Sequence, residues 1–452
     1  MNLWAVLALA LALYGIRMAG PDDLADDYHQ ERAAAYVLDA LRNGNWICQY
    51  GYYGEVSSKP PMFTWVSALA SLPLDRANWF TLTLPGALAT IALAALVFTV
   101  GSRTFGRAAG FLGALVYLLS PIGAKQMVLA RIDGLFSLTV AVTALLAFRA
   151  WQTGCGWTWF WLAGAVATLT KGPLGVILGA IGLLAALWER RPVKGNHLLG
   201  VILYFVICGG WFALAYLKFG KPLIDVMLGQ ELAGHILEDT RIKPFAQFYS
   251  PTLVFLTRFV PWSLLTCVGL WRAWKRPSHP LERFLFCWFL GGLVIFSCAA
   301  HQRPDLIFPL IPAAALLAGR VLAGWLERRQ RLVPIGAAIA LVALSFNYIY
   351  AIGSRPRFQR TKAAKELAQL VKSAGVPVRH VDTPFALQVY LNTKQFPIDA
   401  TNAVRLLAEP SAVYIATSRT LPATNAYVLY RWRGPKDEVL QLVSNRSRLE
   451  RD

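Results

Sequence analysis

Leu24-Ala25-Asp26-Asp27-Tyr28-His29-Gln30-Glu31-Arg32 and Ser58-Lys59-Pro60-Pro61-Met62-Phe63-Thr64-Trp65 share one polar stretch between two apolar segments, 2–18 and 77–100. The flanking segments have the composition of membrane helices. Ionisable groups kept beside such segments are costly and point to function. The acidic pair Asp26-Asp27 and the cation Lys59, held before two prolines, are therefore the first candidates for chemistry.

The rest of the chain supports a membrane setting. Of its 452 residues 56% are hydrophobic and only 15% charged, and the mean hydropathy is +0.45. A water-soluble domain of that balance would expose large apolar patches. Sixteen Trp, 16 Tyr and 24 Phe suit a protein with rings at the headgroup level. The net charge of +19 lies largely in short runs between apolar segments, as in loops facing anionic lipid, so nucleic acid is not the expected partner. Cys155, Cys208, Cys267, Cys287 and Cys298 lie in or beside apolar segments and Cys48 in a polar loop. No Cys-x-x-Cys or Cys/His cluster suggests a disulfide framework or a zinc site.

A span needs about 20 mostly apolar residues. Stretches near 2–18, 77–100, 108–124, 133–150, 157–170, 173–189, 196–217, 251–271, 284–300, 306–325 and 333–352 predict about eleven helices. Residues 2–18 lack a basic leader and a clear cleavage site, and read as the first span rather than a signal peptide. Arg103 and Arg107; Arg190, Arg191 and Lys194; Arg272, Lys275, Arg276 and Arg283; and Arg328, Arg329 and Arg331 fall in alternate loops, which places those loops and the N-terminus in the cytoplasm. The helix expected at 61–74 is too short to span comfortably and is placed on the outer surface. Residues 1–354 then form a transmembrane domain, with 19–76 as its outer loop. Residues 355–452 form a small extracytoplasmic α/β domain, with a helix at Thr361–Ala374 and β-like runs at Val376–Val381, Ala412–Ala416 and Ala426–Tyr430.

Four outer corners then collect titratable groups. Asp26 and Asp27 open an amphipathic helix running to about Leu41. Helix capping accounts for one acid there but less well for two. Lys59, between Ser58 and Pro60-Pro61, reads either as a snorkelling lysine or as a fixed charge for a phosphate. Asp133 reads as a catalytic-site acid or as a helix-start acid paired with Arg131. Arg303, with Asp305, and Lys171, in Thr170-Lys171-Gly172-Pro173, carry the same two readings. Arg241 and Lys243 add cations able to meet an anionic headgroup.

In this order the motifs resemble the dolichyl-phosphate-mannose protein mannosyltransferase-like superfamily of GT-C glycosyltransferases, especially its bacterial aminoarabinose (lipid A) transferase branch. The resemblance rests on the acidic pair and on Asn43-Gly44-Asn45-Trp46, Ser58-Lys59-Pro60-Pro61, Gly101-Ser102-Arg103-Thr104-Phe105-Gly106-Arg107, Ala130-Arg131-Ile132-Asp133, Leu169-Thr170-Lys171-Gly172-Pro173 and Arg303-Pro304-Asp305-Leu306-Ile307-Phe308-Pro309. It covers most of residues 1–325. It implies a polyprenyl-phosphate sugar donor, a first-loop Asp (Asp26 or Asp27) as catalytic base and a lysine (Lys59) for the lipid phosphate. It also implies a further acid (Asp133) near the start of the fourth span. Two departures concern a metal. The residue before the lysine is Ser58 rather than Glu, and the later outer loop reads Thr240-Arg241-Ile242-Lys243-Pro244 without a His, so no bound zinc is expected and no cofactor is required. The expected partners are the donor, a lipid, glycan or protein acceptor, and membrane lipids. The rival class, a transporter or lipid flippase, would carry its charges near mid-membrane on broken helices within inverted repeats. No internal repeat is evident.

Overall fold

A computed structural model describes residues 2–227, 229, 248–299, 304–328, 333–353, 358–422 and 426–449. The chain divides into two compact units. The first comprises Met1–Ala19, Ser58–Phe63 and Thr83–Ala351, and the second Gly20–Ser57, Thr64–Leu82 and Ile352–Asp452.

The first unit is helical. Among the described residues, five helices are long and apolar enough to cross a membrane: Trp79–Phe105, Ile132–Thr153, Leu198–Phe219, Pro280–Ser297 and Pro304–Arg328. Ser250–Arg258 and Trp262–Lys275 form a pair bent by 117° that counts as a sixth if it is one span. Helix stands at every stretch where a span was predicted, yet length and composition do not establish the count of eleven. Leu3–Met18 has 16 residues, about 24 Å of helix against a hydrocarbon core of about 30 Å. The 108–124 stretch is broken at Ser120, whose hydroxyl accepts from the Gly123 amide. The 173–189 stretch is divided into Leu174–Ala180, a 3₁₀ turn and Leu184–Trp188.

Small residues set the closest helix approaches. Gly319, in Ile311–Arg328, faces Gly113 of Arg107–Leu119 so closely that a Cβ on it would lie 2.5 Å from the Gly113 Cα. A Cβ on Gly86 would lie 2.8 Å from the Gln126 carbonyl. With no apolar driving force between helices in lipid, such backbone contact supplies the attraction. Trp157, Trp288, Phe136, Phe284 and Phe308 fill the core between the helices.

The second unit combines the helices between residues 20 and 82 and those of the C-terminal segment with a four-stranded sheet. Tyr28–Asn43 is amphipathic and ends at Gly44, whose φ of 70° closes the helix in the left-handed region. The strands are β1 (Arg379–Val381), β2 (Tyr414–Thr417), β3 (Tyr427–Arg433) and β4 (Val439–Ser444), in the order β1-β2-β4-β3. β1 and β2 are parallel, with Arg379 opposite Ile415, and the other two pairings are antiparallel. Val381, Ala403, Leu407, Ile415 and Val443 form the core beneath the sheet. The sequence reading anticipated β1 to β3 and the Gln359–Ala374 helix. It missed β4 and the short helices Ala386–Leu391 and Ala400–Leu407, which are too brief to show a period.

Candidate active site

The acidic segment belongs to the second unit. Leu24–Asp26 forms a single 3₁₀ turn, and Asp27 then caps the Tyr28–Asn43 helix by accepting from the His29 amide at 2.9 Å. The Asp27-x-x-Gln30 spacing is that of a capping box. Gln30 reaches past the cap, however, and donates from Nε2 to Asp23 at 2.8 Å. Asp26 is oriented differently. Its Oδ2 accepts from the Thr361 hydroxyl at 2.7 Å and from the Thr361 amide at 3.2 Å. The residue keeps solvent access, and partial burial of its carboxyl raises its pKa against those two bonds and the charge of Arg360.

Two neighbours complete the acidic set. Burial pushes the Asp23 carboxyl up to about 6, with the Gln30 bond opposing it. Burial also pushes Glu31 up to about 7, against the hydrogen bond that its Oε1 accepts from the Ala386 amide at 3.1 Å. Asp22 accepts from Tyr390 at 2.9 Å and pairs with Lys365 at 3.1 Å. The sequence reading put Glu31 in the acidic corner without assigning it a role. Its spacing of four from Asp27, which places both on one side of a helix, was the available signal. Nothing local signals Thr361, Lys365 or Tyr390, which lie more than 330 positions away in the chain.

The basic corners belong to the first unit, and their pairing differs from the local alternative. Arg131 forms an ion pair beyond its own segment. Its Nη1 meets Asp305 at 2.7 Å, while Asp133 pairs with Lys171 at 2.5 Å. All four side chains are largely buried. Arg131 is the extended N-cap residue of the Ile132–Thr153 helix, and Asp133 stands in the first turn of that helix. Lys171 also lies 5.3 Å from the Phe136 ring centre. Lys59 is half-buried, directly before Pro60-Pro61 and the Met62–Ser71 helix. Arg241, Lys243 and Arg303 lie outside the described residues. Among the described residues, no group of three His, Cys, Asp or Glu side chains is placed to hold a metal.

A multi-pass helical membrane protein with buried charge pairs at its helix starts, joined in one chain to an α/β unit that grips an acidic loop, is the class defined by these features. Comparison assigns its fold, the GT-C membrane fold. The Cupriavidus metallidurans protein ArnT, solved bound to undecaprenyl phosphate, superposes with a TM-score of 0.75 over 99% of this chain and 98% of its own, at 17% identity. An Archaeoglobus fulgidus oligosaccharyltransferase tethered to an acceptor peptide gives 0.51 over 97% and 74%, at 12% identity. In sequence, residues 58–213 match the family described as dolichyl-phosphate-mannose-protein mannosyltransferase. An undecaprenyl phosphate-α-4-amino-4-deoxy-L-arabinose arabinosyl transferase of Pseudomonas fluorescens is 25% identical over 68% of this chain. That alignment spans only 57% of the relative's length. The chain is thus a multi-pass inner-membrane protein similar to the aminoarabinose transferases.

Proposed function

We propose that the protein transfers a sugar from a polyprenyl-phosphate donor to a lipid, glycan or protein acceptor at the outer face of the cytoplasmic membrane, with inversion at the anomeric carbon. One observation carries the reading. The family match begins at Ser58 and spans Lys59, Arg131, Asp133 and Lys171, so it contains the cation before the double proline, the Asp133–Lys171 pair and the arginine of the Arg131–Asp305 pair. The names of the sequence relatives supply the donor class. In this reading residues 1–354 are the transferase domain, residues 355–452 an outer domain, and the N-terminus faces the cytoplasm.

Asp26 is the preferred base, because Asp27 is occupied as a helix cap. Its carboxylate accepts the proton of the acceptor hydroxyl, or orients that hydroxyl, as the oxygen attacks the anomeric carbon. The anomeric C–O bond breaks, and its electrons leave on the lipid phosphate. Lys59, with Arg131, Arg241 and Lys243, holds that phosphate and offsets its growing charge. Asp133, Lys171 and Arg303 support the site: the Asp133–Lys171 pair and Asp305 keep the buried cations balanced and oriented. General-base help contributes about 10²- to 10⁴-fold in rate.

The test is transfer from radiolabelled polyprenyl-phosphate sugars by the purified protein, beside Asp26→Asn, Asp27→Asn and Lys59→Ala. Label should reach an acceptor with wild type and fall about 10²-fold or more with Asp26→Asn. The Lys59 variant should chiefly raise the donor KM. Consumption of no donor, or equal rates in all four proteins, would remove the proposal.

A further inference from the structure

Three carboxylates of the acidic segment, Asp22, Asp26 and Glu31, each accept hydrogen bonds from the C-terminal residues 361–390 of the same unit. The geometry points to Thr361 as the positioning residue of the Asp26 carboxylate, and hence to the C-terminal segment as a working part of the catalytic centre rather than only a recognition domain. This deepens the function proposed above and rests on Asp26 being the base.

The bond pattern is reciprocal. Thr361 is buried at 3% exposure. Its hydroxyl donates to Asp26 Oδ2 and accepts from the Ala25 amide at 3.0 Å. A hydroxyl has one proton to give, and here that proton is committed to the carboxylate. The Thr361 amide gives the same oxygen a second bond. Oδ2 is thereby held by two donors while Oδ1 takes neither, so the orientation of Oδ1 is fixed.

The second donor has a further meaning. Thr361 is the third residue of the Gln359–Ala374 helix, and the residue preceding that helix, Phe358, makes no side-chain cap. The first turn of a helix leaves amide hydrogens without internal partners and a partial positive charge. Asp26 supplies the missing acceptor. In return, the helix start and the hydroxyl favour its ionised form, the form that a base requires, against the burial that opposes it.

The charged groups around Asp26 come from every element against its turn. Glu31 and Asp27 stand on the Tyr28–Asn43 helix, and Asp22 and Asp23 precede the turn. Arg360 and Lys365 belong to the Gln359–Ala374 helix, Tyr390 to Ala386–Leu391, and Glu438 precedes β4. Of these, Arg360 favours the Asp26 carboxylate, and Glu438 disfavours it.

The experiment is the pH profile of kcat for transfer by the full-length protein and three variants. Thr361→Val removes the hydroxyl and keeps the amide and the shape. It should lower kcat about tenfold near neutral pH, leave the donor KM unchanged, and move the acid limb of kcat upward by about half to one pH unit, because one donor to the ionised form is lost. Thr361→Ser should restore both. Arg360→Gln, a change of charge away from the core, should move the limb in the same direction and guards against misfolding of the valine variant. A loss of rate in Thr361→Val with the acid limb unmoved in both variants would reduce Thr361 to an anchor and overturn the inference while the transferase reading stands. Absence of transfer in the wild type would instead remove the reading itself.

Discussion

Replacing Lys171 and Asp133 together should damage the protein far less than the sum of the two single replacements. The two side chains are 14% and 17% exposed and meet at 2.5 Å. Two unit charges about 4 Å apart attract by about 4 kcal/mol at an effective dielectric constant of 20. Removing one partner of a buried pair leaves the other charge uncompensated and costs about 3–5 kcal/mol, whereas removing both is often nearly neutral. We expect Lys171→Gln and Asp133→Asn each to lose about 3 kcal/mol, and the double variant clearly less than their sum, for a coupling of about 2–4 kcal/mol. The assay is unfolding of the detergent-solubilised protein followed by the fluorescence of its sixteen tryptophans, run as a double-mutant cycle. Lys362→Gln with Glu366→Gln is the control. That pair is 3.9 Å apart with side chains 80% and 51% exposed, and should couple by less than about 0.5 kcal/mol. Additivity of the two buried substitutions within about 0.5 kcal/mol would refute the reasoning, because it would mean that the two charges do not sense each other.

Other consequences are equally direct. Asp39 is fully buried and accepts from Asn43, Asn45 and the Tyr50 amide at 2.8–2.9 Å; Asp39→Ala should cost about 3 kcal/mol or more by stranding those donors, read as a lowered unfolding midpoint and faster proteolysis of the 44–57 turn. Gly319→Val should destabilise the first unit by about 1–3 kcal/mol through collision with the Gly113 backbone, whereas Gly324→Ala in the same helix meets nothing within 4 Å and should be neutral in the same unfolding assay. His380, almost fully buried, has its pKa pushed down by burial to about 4 from an ordinary 6.5. The unfolded chain therefore binds the extra proton. His380 contributes stability that is complete above about pH 6.5 and is lost as pH falls towards 4, about 3 kcal/mol in all. Glu31, raised from 4.5 to about 7, has the opposite sign and loses stability as pH rises through that window. Stability curves of wild type and His380→Asn should accordingly diverge between pH 6.5 and 4, and parallel curves would show that His380 does not titrate in that way.

The helical membrane character was legible in composition and hydropathy, because a helix in lipid satisfies its own backbone and needs only about 20 apolar side chains to declare itself. So were the start of the Met62–Ser71 helix after Pro60-Pro61 and the capping of the following helix by one acid of the Asp26-Asp27 pair, though which of the two stayed open until the structure showed Asp27 accepting from the His29 amide. These are short-range effects, decided within about four residues. The count of spans was less legible, since Ser120 and Pro261 break apolar runs that hydropathy averaging treats as continuous. β4 was missed although Val439, Leu440, Leu442 and Val443 are apolar: it is buried on both faces and shows no period-two alternation, so only pairing with β2 and β3 defines the strand.

The sequence by itself determined which residues carry charge beside the apolar helices, and so named Asp26, Asp27, Lys59, Arg131, Asp133 and Lys171. Only the tertiary structure decided whom each one meets. Lys171 finds Asp133 across 38 positions, Arg131 finds Asp305 across 174, and Thr361 finds Asp26 across 335. Hydropathy and capping act over one or two turns of chain, whereas a buried charge takes its partner from whatever helix packing brings within about 3 Å. The energy that selects that partner, the desolvation of an uncompensated ion, arises only once the interior has closed around it.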